Sequence, residues 1–357
     1  MKSPLTVALF FGGRSAEHEV SITSARNVFD NLARSRYRRR CIFIDKNGLW
    51  SEVSSPHLSA SRLNRGPFHS FLPWDRSGRA KPLRADVYWP VLHGPGGEDG
   101  TIQGLLELAD VPFVGSGTLG SSMGMDKGVM KELFRSRGIP VVPLEVVTEP
   151  EAARSPAAVV RRIRAGLKPP LFVKPANLGS SVGITKVKSW EELVPAMDEA
   201  FRYDRKILVE QGLDCREFEC AVLGNDNPEA SLLAEIIPGP NNEFYNYVEK
   251  YLENETRFVI PAVLPEAVAA RARRLAVAAF QACECSGMAR VDFFRDKKSQ
   301  RLYVNEINTI PGFTAISMYP RLWAASGLPF RALADRLIGL ALERHRRKKR
   351  CLDYDSR

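Results

Sequence analysis

Four polar residues on two neighbouring segments carry the first chemical signal: Arg290 and Asp292 in ARVDFFR, Glu306 and Asn308 in RLYVNEIN. The spacing of two puts each pair on one face of an extended strand. The polar turn Asp296-Lys297-Lys298-Ser299-Gln300 joins the segments into a hairpin. Symmetric pairing, Arg295 against Arg301, sets Asp292 opposite Val304 and Arg290 opposite Glu306. Val291, Phe293, Tyr303 and Ile307 then take the reverse face. Two carboxylates, an amide and a guanidinium on one surface suit a hard cation beside a phosphate. They offer oxygen ligands for Mg²⁺ and fixed positive charge where negative charge develops. A solvated sheet face is the alternative for Asp292 alone. The run Asn-Thr-Ile-Pro-Gly-Phe-Thr that follows favours the metal site, since a turn at Gly312 lets backbone approach a ligand.

A second cluster lies in PLFVKPANLGSSVGITKV (170–187). One strand carries Lys174 into Asn177-Leu178-Gly179-Ser180-Ser181-Val182-Gly183, and ITKV returns. Backbone N–H groups of small residues at a hairpin tip form an anion nest, to which Lys174 adds a point charge. A Walker loop would place its lysine after the glycines and open a helix. This segment reads instead as a β-hairpin phosphate flap, with a plain Gly-Ser hairpin as the alternative. KILVEQGL (206–213) leaves its strand at Glu210-Gln211-Gly212-Leu213, a place where base and ribose are held. REFECAVLGN (216–225) alternates, with Glu217, Glu219 and Ala221 on one face.

Towards the amino end, LTVALFF (5–11) breaks at Gly12-Gly13, and Ser15–Ser21 leads into a helix. Strand, glycine turn and helix build a ligand site at the strand's carboxyl end. Glu17 there is either a ligand group or a first-turn carboxylate favoured by the helix dipole. DVYWPVLHG (86–94) ends at His93, which is a substrate neighbour or a hydrogen-bonded structural histidine. A glycine-dense loop, His93–Gly100, follows.

The elements that must position these groups come next. RCIFIDKNGLW (40–50) is a second strand with a turn at Asn47-Gly48. Segment 51–82 is irregular, and 111–116 closes a small open parallel sheet. A boundary falls near 122, and Asp126 opens a helix over 126–137. Another helix spans 190–202. Residues 238–260 lack a period, as a lid or binding loop does. Val268 to Cys283 form an amphipathic helix and 329–345 the last one.

A length of 357 residues fits roughly two to three domains, and 44% hydrophobic and 26% charged residues fit a globular chain. No apolar run approaches the roughly 18 residues that span a bilayer, and MKSPLTVALFFGG reads as a first strand, not a signal peptide. Six cysteines without a CxxC pair fit a reduced, cytoplasmic setting. The net charge of +10 gathers partly in Arg36–Arg40 and Arg344–Arg350. One reading is a nucleic-acid-binding protein gripping through residues 344–357. The others are solvated helix ends with a frayed tail, and a basic cleft for a nucleoside triphosphate.

Gly-Gly-Arg-Ser-Ala-Glu-His-Glu-Val-Ser, His-Gly-Pro-Gly-Gly-Glu-Asp-Gly, Met-Asp-Lys, Lys-Pro-Ala-Asn-Leu-Gly-Ser-Ser-Val-Gly, Glu-Lys-Tyr and Asn-Glu-Ile-Asn-Thr-Ile-Pro-Gly-Phe-Thr occur in that order. Together, from about residue 5 to 345, they resemble the D-alanine–D-alanine ligases of the ATP-grasp superfamily. The resemblance implies an α/β (α+β) chain: a Rossmann-like open-sheet domain (1–122) and a two-lobed ATP-grasp fold (123–213 and 214–345), before a basic tail (346–357). It implies ATP-dependent joining of two D-alanines through an acyl phosphate, for peptidoglycan synthesis. The cofactors would be two Mg²⁺ or Mn²⁺ ions, and the chain a homodimer without nucleic-acid or membrane partners.

The same resemblance implies residue roles. Asp292, Glu306 and Asn308 would hold the metals. Lys127, Lys174, Ser181 and Lys250 would contact phosphate, and Glu210, Gln211, Leu213 and Glu217 would hold adenine and ribose. Glu17 would pair with the first D-alanine's ammonium and link to Ser180 and Tyr251, with His93 nearby. Arg290 and the backbone N–H at Gly312 would stabilise developing negative charge, and Ser317 would meet the second carboxylate. Tyr251 resembles the dipeptide-forming members; a ligase taking D-serine second is the alternative. Gln211 departs from the lysine of many relatives, and Phe313 stands where some have methionine.

Overall fold

Strand β1 (Leu5–Gly12) owes its unbroken apolar run to burial on both faces. Val7, Leu9 and Phe11 pack with Trp89, Phe313, Tyr319 and Leu337 on one side. Ala8 and Phe10 pack with Tyr88, Ile102 and Leu106 on the other. The computed structural model describes residues 3–63, 83–179, 182–239 and 256–348. Ser180, Ser181, Lys250, Tyr251 and the tail beyond 348 lie outside them, as do residues 64–82 and 240–255 of the two irregular segments.

β1 pairs in parallel with β2 (Tyr37–Ile44) and β4 (Val87–Pro90). The first sheet, ordered β3-β2-β1-β4, is mixed rather than wholly parallel. A tight turn at Asn47-Gly48, with Gly48 at φ 85°, folds β3 (Trp50–Val53) back antiparallel on β2. That strand and a short helix, α2 (Ala60–Leu63), also give regular structure to the start of the segment expected to be irregular. Helix α1 (His18–Asn31) follows β1, and α3 (Thr101–Leu108) follows the His93–Gly100 loop.

Helix α4 (Thr118–Met125) runs through residue 122, so the expected boundary falls inside a helix. Asp126 then breaks the chain direction and accepts the N–H groups of Gly128 and Val129, capping α5 (Lys127–Ser136). The next sheet is antiparallel, ordered β5-β8-β6-β7, from β5 (Leu144–Thr148), β6 (Leu171–Pro175), β7 (Thr185–Val187) and β8 (Lys206–Gln211). Leu171, Val173, Ile207 and Val209 meet α7 (Pro156–Gly166) and α8 (Leu193–Phe201); α6 (Glu149–Arg154) precedes them. Strand alternation turns Lys174 and Glu210 to the opposite face.

The third sheet, ordered β11-β10-β9-β12-β13, is also antiparallel. It contains β9 (Cys215–Gly224), β10 (Glu229–Ile237), β11 (Arg257–Val259), β12 (Gly287–Asp296) and β13 (Leu302–Asn308). Phe218, Cys220, Val291, Phe293 and Ile307 bury against α9 (Glu266–Ala282). The β12–β13 register differs from the symmetric one. Asp292 lies opposite Glu306 and Arg290 opposite Asn308, with an irregularity after Asp292. The extra residue there is taken up beside Asn305, so Val304 and Ile307 both reach the core. Tyr303 pairs with Phe294 instead of joining the buried face with Val291.

Helices α10 (Met318–Ala325) and α11 (Phe330–Lys348) close the chain over the first sheet. Arg344 is not part of a frayed end: it donates to Phe113 O at 3.1 Å and to Gly115 O, with its guanidinium over the Phe113 ring. The other basic run is also partly engaged internally. Arg36 pairs with Asp335, Arg39 stacks on Phe29, and Arg40 grips Glu52 with two bonds of 2.7 Å. The five described cysteines are free, and among the described residues no helix is long and apolar enough to cross a membrane.

Gly12 turns the chain out of β1 at φ 93°, where an added Cβ would lie 2.2 Å from Ile44 O. Gly12→Ala is expected to lower stability by on the order of 1–3 kcal/mol from backbone strain alone, with the backbone clash adding to it. Urea unfolding of the purified variant measures the loss.

Candidate active site

The second and third sheets face one another across a cavity of about 790 Å³. Glu210 at the end of β8 is almost wholly buried there. Its two oxygens receive Lys131 Nζ at 2.5 Å and Lys174 Nζ at 2.6 Å. Burial alone would raise the Glu210 carboxyl, but the two ammonium groups overcome it and pull it down to about 2. Lys131 is completely buried, and burial lowers it to about 8 against the opposing pull of Glu210.

Arg290 sits across the cleft on β12. It forms a fork on its own strand neighbour Asp292, with Nε to Oδ1 and Nη2 to Oδ2 both at 2.7 Å, and approaches Glu219 at 3.3 Å. Burial would lower its pKa, yet Asp292 and then Glu219 raise it well above the ordinary value, so it stays charged. Lys127, the first residue of α5, donates to Leu178 O at 2.6 Å and stands 3.6 Å from Glu306. It ties the base of the glycine-rich hairpin to the carboxylate of β13. The Asn308 side-chain oxygen accepts the Ile310 N–H at 3.0 Å, which leaves it a second lone pair.

The amino-terminal segments reach the same region. A Cβ added at Gly94 or at Gly179 would come within 2.8 or 3.2 Å of Glu17 Oε2. The Glu17 carboxylate therefore lies between the loop after β4 and the hairpin. His93 is buried, with Nδ1 at 3.1 Å from Ile310 O and Nε2 at 3.1 Å from Ser24 Oγ. Burial lowers its pKa. Glu98 is buried beside it, accepts the Gly94 N–H at 3.0 Å, and is pushed well above the carboxylate range by burial and by Glu17. Ser317 immediately precedes α10; its hydroxyl accepts the Thr314 N–H at 3.0 Å and packs against Gly312.

The structure thus brings together most of the residues expected from sequence. Lys127, Lys174, Glu210, Gln211, Leu213, Glu217, Asp292 and Glu306 all line the cavity. Arg290 and Asn308 stand on the same two strands. The Gln211 side chain, however, is engaged at the rim. Its oxygen accepts Lys168 N–H at 3.0 Å and its amide donates to Lys168 O at 2.7 Å, so it staples the preceding loop. Both Glu210 oxygens are likewise engaged with lysines. Sequence reasoning passed over Lys131, Glu98, Asn305 and Ser24. Lys131 lies one helical turn after Lys127, a spacing that marks a shared face. Nothing in the sequence marks Asn305, because the bulge that turns it to the cavity is a tertiary feature.

Among the described residues no three His, Cys, Asp or Glu side chains cluster to hold a metal. Two facing carboxylates and an amide do fit Mg²⁺, which is commonly held by one or two carboxylates with substrate phosphates and water completing its shell.

Two family models match the chain: "D-ala D-ala ligase N-terminus" over residues 6–116 and "D-ala D-ala ligase C-terminus" over residues 133–339. A D-alanine–D-alanine ligase A of Bradyrhizobium diazoefficiens is 47% identical over 365 residues, covering 98% of each chain. The solved D-alanine–D-alanine ligase of Coxiella burnetii has a TM-score of 0.83 at 39% identity, covering 97% of this chain and 96% of its own. The VanG D-Ala:D-Ser ligase of Enterococcus faecalis also reaches 0.83, at 35% identity over 95% of this chain and 100% of its own.

The depressed Glu210 carboxyl makes a pH prediction. Its ordinary value is 4.5 and its folded value about 2. The stability it contributes is fully present above about 4.5 and lost as pH falls towards 2, on the order of 3 kcal/mol. Glu210→Gln is expected to lose stability at neutral pH and to show a shallower decline through that window, read by denaturant unfolding at stepped pH.

Proposed function

The chain belongs to the D-alanine–D-alanine ligase family, and on that premise we propose how its cleft joins two D-alanines with ATP. The observation that carries the reading is one cavity that gathers Lys174, Lys127 with its partner Glu306, and the facing carboxylate Asp292, which Arg290 grips, while Glu17 lies beside Gly94 and Gly179. A carboxylate and an amine do not condense in water, because a carboxylate is a poor electrophile. The enzyme makes one carboxyl group reactive by phosphorylating it.

Glu17 holds the first D-alanine by its ammonium. The carboxylate oxygen of that D-alanine attacks the γ-phosphorus, and the bond to ADP breaks with the electron pair leaving on ADP. Transfer of this kind depends on positioning and charge neutralisation more than on covalent help. Lys127 and Lys174 supply fixed positive charge to the phosphates, and Arg290 supplies it to the moving phosphoryl group. Asp292, Glu306 and Asn308 would hold two Mg²⁺ or Mn²⁺ ions, which neutralise phosphate charge when bound.

The amine of the second D-alanine, its carboxylate near Ser317, then attacks the acyl-phosphate carbonyl. The tetrahedral intermediate places negative charge on oxygen, where Arg290 and the Gly312 N–H stabilise it. Phosphate leaves with the carbon–oxygen bonding pair, the nitrogen gives up a proton, and D-alanyl-D-alanine remains for peptidoglycan synthesis. Leu213, Glu217 and the backbone at Gln211 take adenine and ribose, while Glu210 orients Lys174. Ser180, Ser181, Lys250 and Tyr251, which lie outside the described residues, complete the proposed set. D-alanine is the proposed second substrate; the likeness to a D-Ala:D-Ser ligase makes D-serine the competitor to test.

Phosphate release from Mg·ATP, measured against D-alanine, L-alanine, D-serine and D-lactate with product masses, is expected to require D-alanine and to yield its dipeptide. A mixed D-alanyl-D-serine product at comparable rate would reassign the second site. Arg290→Ala is expected to lower kcat about 100-fold or more, as loss of one oxyanion donor does, with the KM for ATP changed by less than about tenfold. Steady-state kinetics decides it, and wild-type turnover would remove Arg290 from the chemistry.

A further inference from the structure

Ser24 is wholly buried on α1, two helical turns after Glu17, and 289 residues from the chain it touches. Its hydroxyl oxygen receives the Phe313 N–H at 3.2 Å and lies 3.1 Å from His93 Nε2. His93 Nδ1 is 3.1 Å from Ile310 O. A carbonyl can only accept, so Nδ1 carries the proton and Nε2 of the neutral ring accepts. The Ser24 O–H therefore donates to Nε2, and its lone pair takes the Phe313 N–H. The direction of every bond in this chain is fixed.

The same helix holds the other side of Phe313, since Asn27 Nδ2 donates to Phe313 O at 2.7 Å. Asn308 holds the loop from below through the Ile310 N–H. Gly312 thus lies between two anchored points, Ile310 O and Phe313 N. Both are set from the first sheet's helix and loop rather than from the strand that delivers the metal-binding face. We propose that Ser24, assisted by Asn27, is a positioning residue for the ligation step, anchoring Phe313 on both sides so that the Gly312 N–H, in the peptide just before, meets the tetrahedral oxyanion. The inference rests on the role given above to Gly312. It couples the segment carrying Glu17, which holds the first amino acid, to the donor that acts on the same carbonyl later.

The test compares phosphate released with dipeptide formed at saturating ATP and D-alanine. Misplacing an oxyanion donor slows amine attack, and the waiting acyl phosphate then reacts with water. Ser24→Ala is expected to lower kcat for dipeptide about tenfold or more, to leave the KM for ATP near the wild-type value, and to raise the phosphate-to-dipeptide ratio above one. Asn27→Ala, at a less buried position, is expected to move the ratio the same way and stands as the test if Ser24→Ala does not fold. Both variants keeping wild-type kcat and a ratio of one would overturn the inference. So would a fall in kcat with coupling intact, which is what a purely packing role produces. Wild-type enzyme that releases phosphate without dipeptide would overturn the ligase reading as well, a result distinct from variants that couple as the wild type does.

Discussion

Glu210, with one buried lysine on each oxygen, sets the electrostatics of the cleft. Charge removed from water is costly unless it is paired, and a carboxylate shared by two ammonium groups leaves a net positive charge. That surplus faces the cavity through Lys174. Lys131 has no exposure at all and meets the other Glu210 oxygen from within the core. The arrangement orients Lys174 by a short ion pair at the edge of the cavity.

The far wall repeats the device with opposite balance. Arg290 faces Asp292 and Glu219, so here carboxylate exceeds cation. The two walls therefore carry opposite excess charge, which suits a polyanion accompanied by divalent cations. Both walls are antiparallel sheets whose opposite faces bury against helices. Alternation along β6, β8, β9 and β12 delivers polar groups to the cleft while the same strands build cores. The site is rigid because its supports are the protein's cores.

The loop after β13 joins this ATP-facing region to the first sheet. Phe313 is buried among Trp89, Tyr319 and Phe330, and its backbone is held by Ser24 and Asn27. Arg344 fastens α11 to Phe113 and Gly115 on that side. The first sheet and one end of the third share one packed core, so the segments carrying Glu17 and His93 are held against the loop after β13.

Much of this was legible in the linear chain. The strand runs, the spacing of two between Arg290 and Asp292, the glycine-rich hairpin after Lys174 and the order of the motifs depend on local chemistry. Local chemistry is written in sequence. Register is not, because it depends on how the turn closes and on which residues a bulge leaves over; Leu302 rather than Arg301 stands opposite Arg295, which sets Tyr303 against Phe294, and the irregularity beside Asn305 adds the further step that brings Glu306 opposite Asp292. Nor could sequence assign Lys131, Gln211 or Arg344. A lysine on an amphipathic helix, a glutamine at a strand end and an arginine in a basic run look solvated until distant segments close over them. Ser24 is the extreme case: a small polar residue in a helix finds its hydrogen-bond partners in His93 and Phe313, brought together by the fold. Sequence alone determined the chemistry available to this protein. The tertiary structure decided which charges were buried against which partners, since burial and pairing are properties of surfaces that do not exist until the chain has folded.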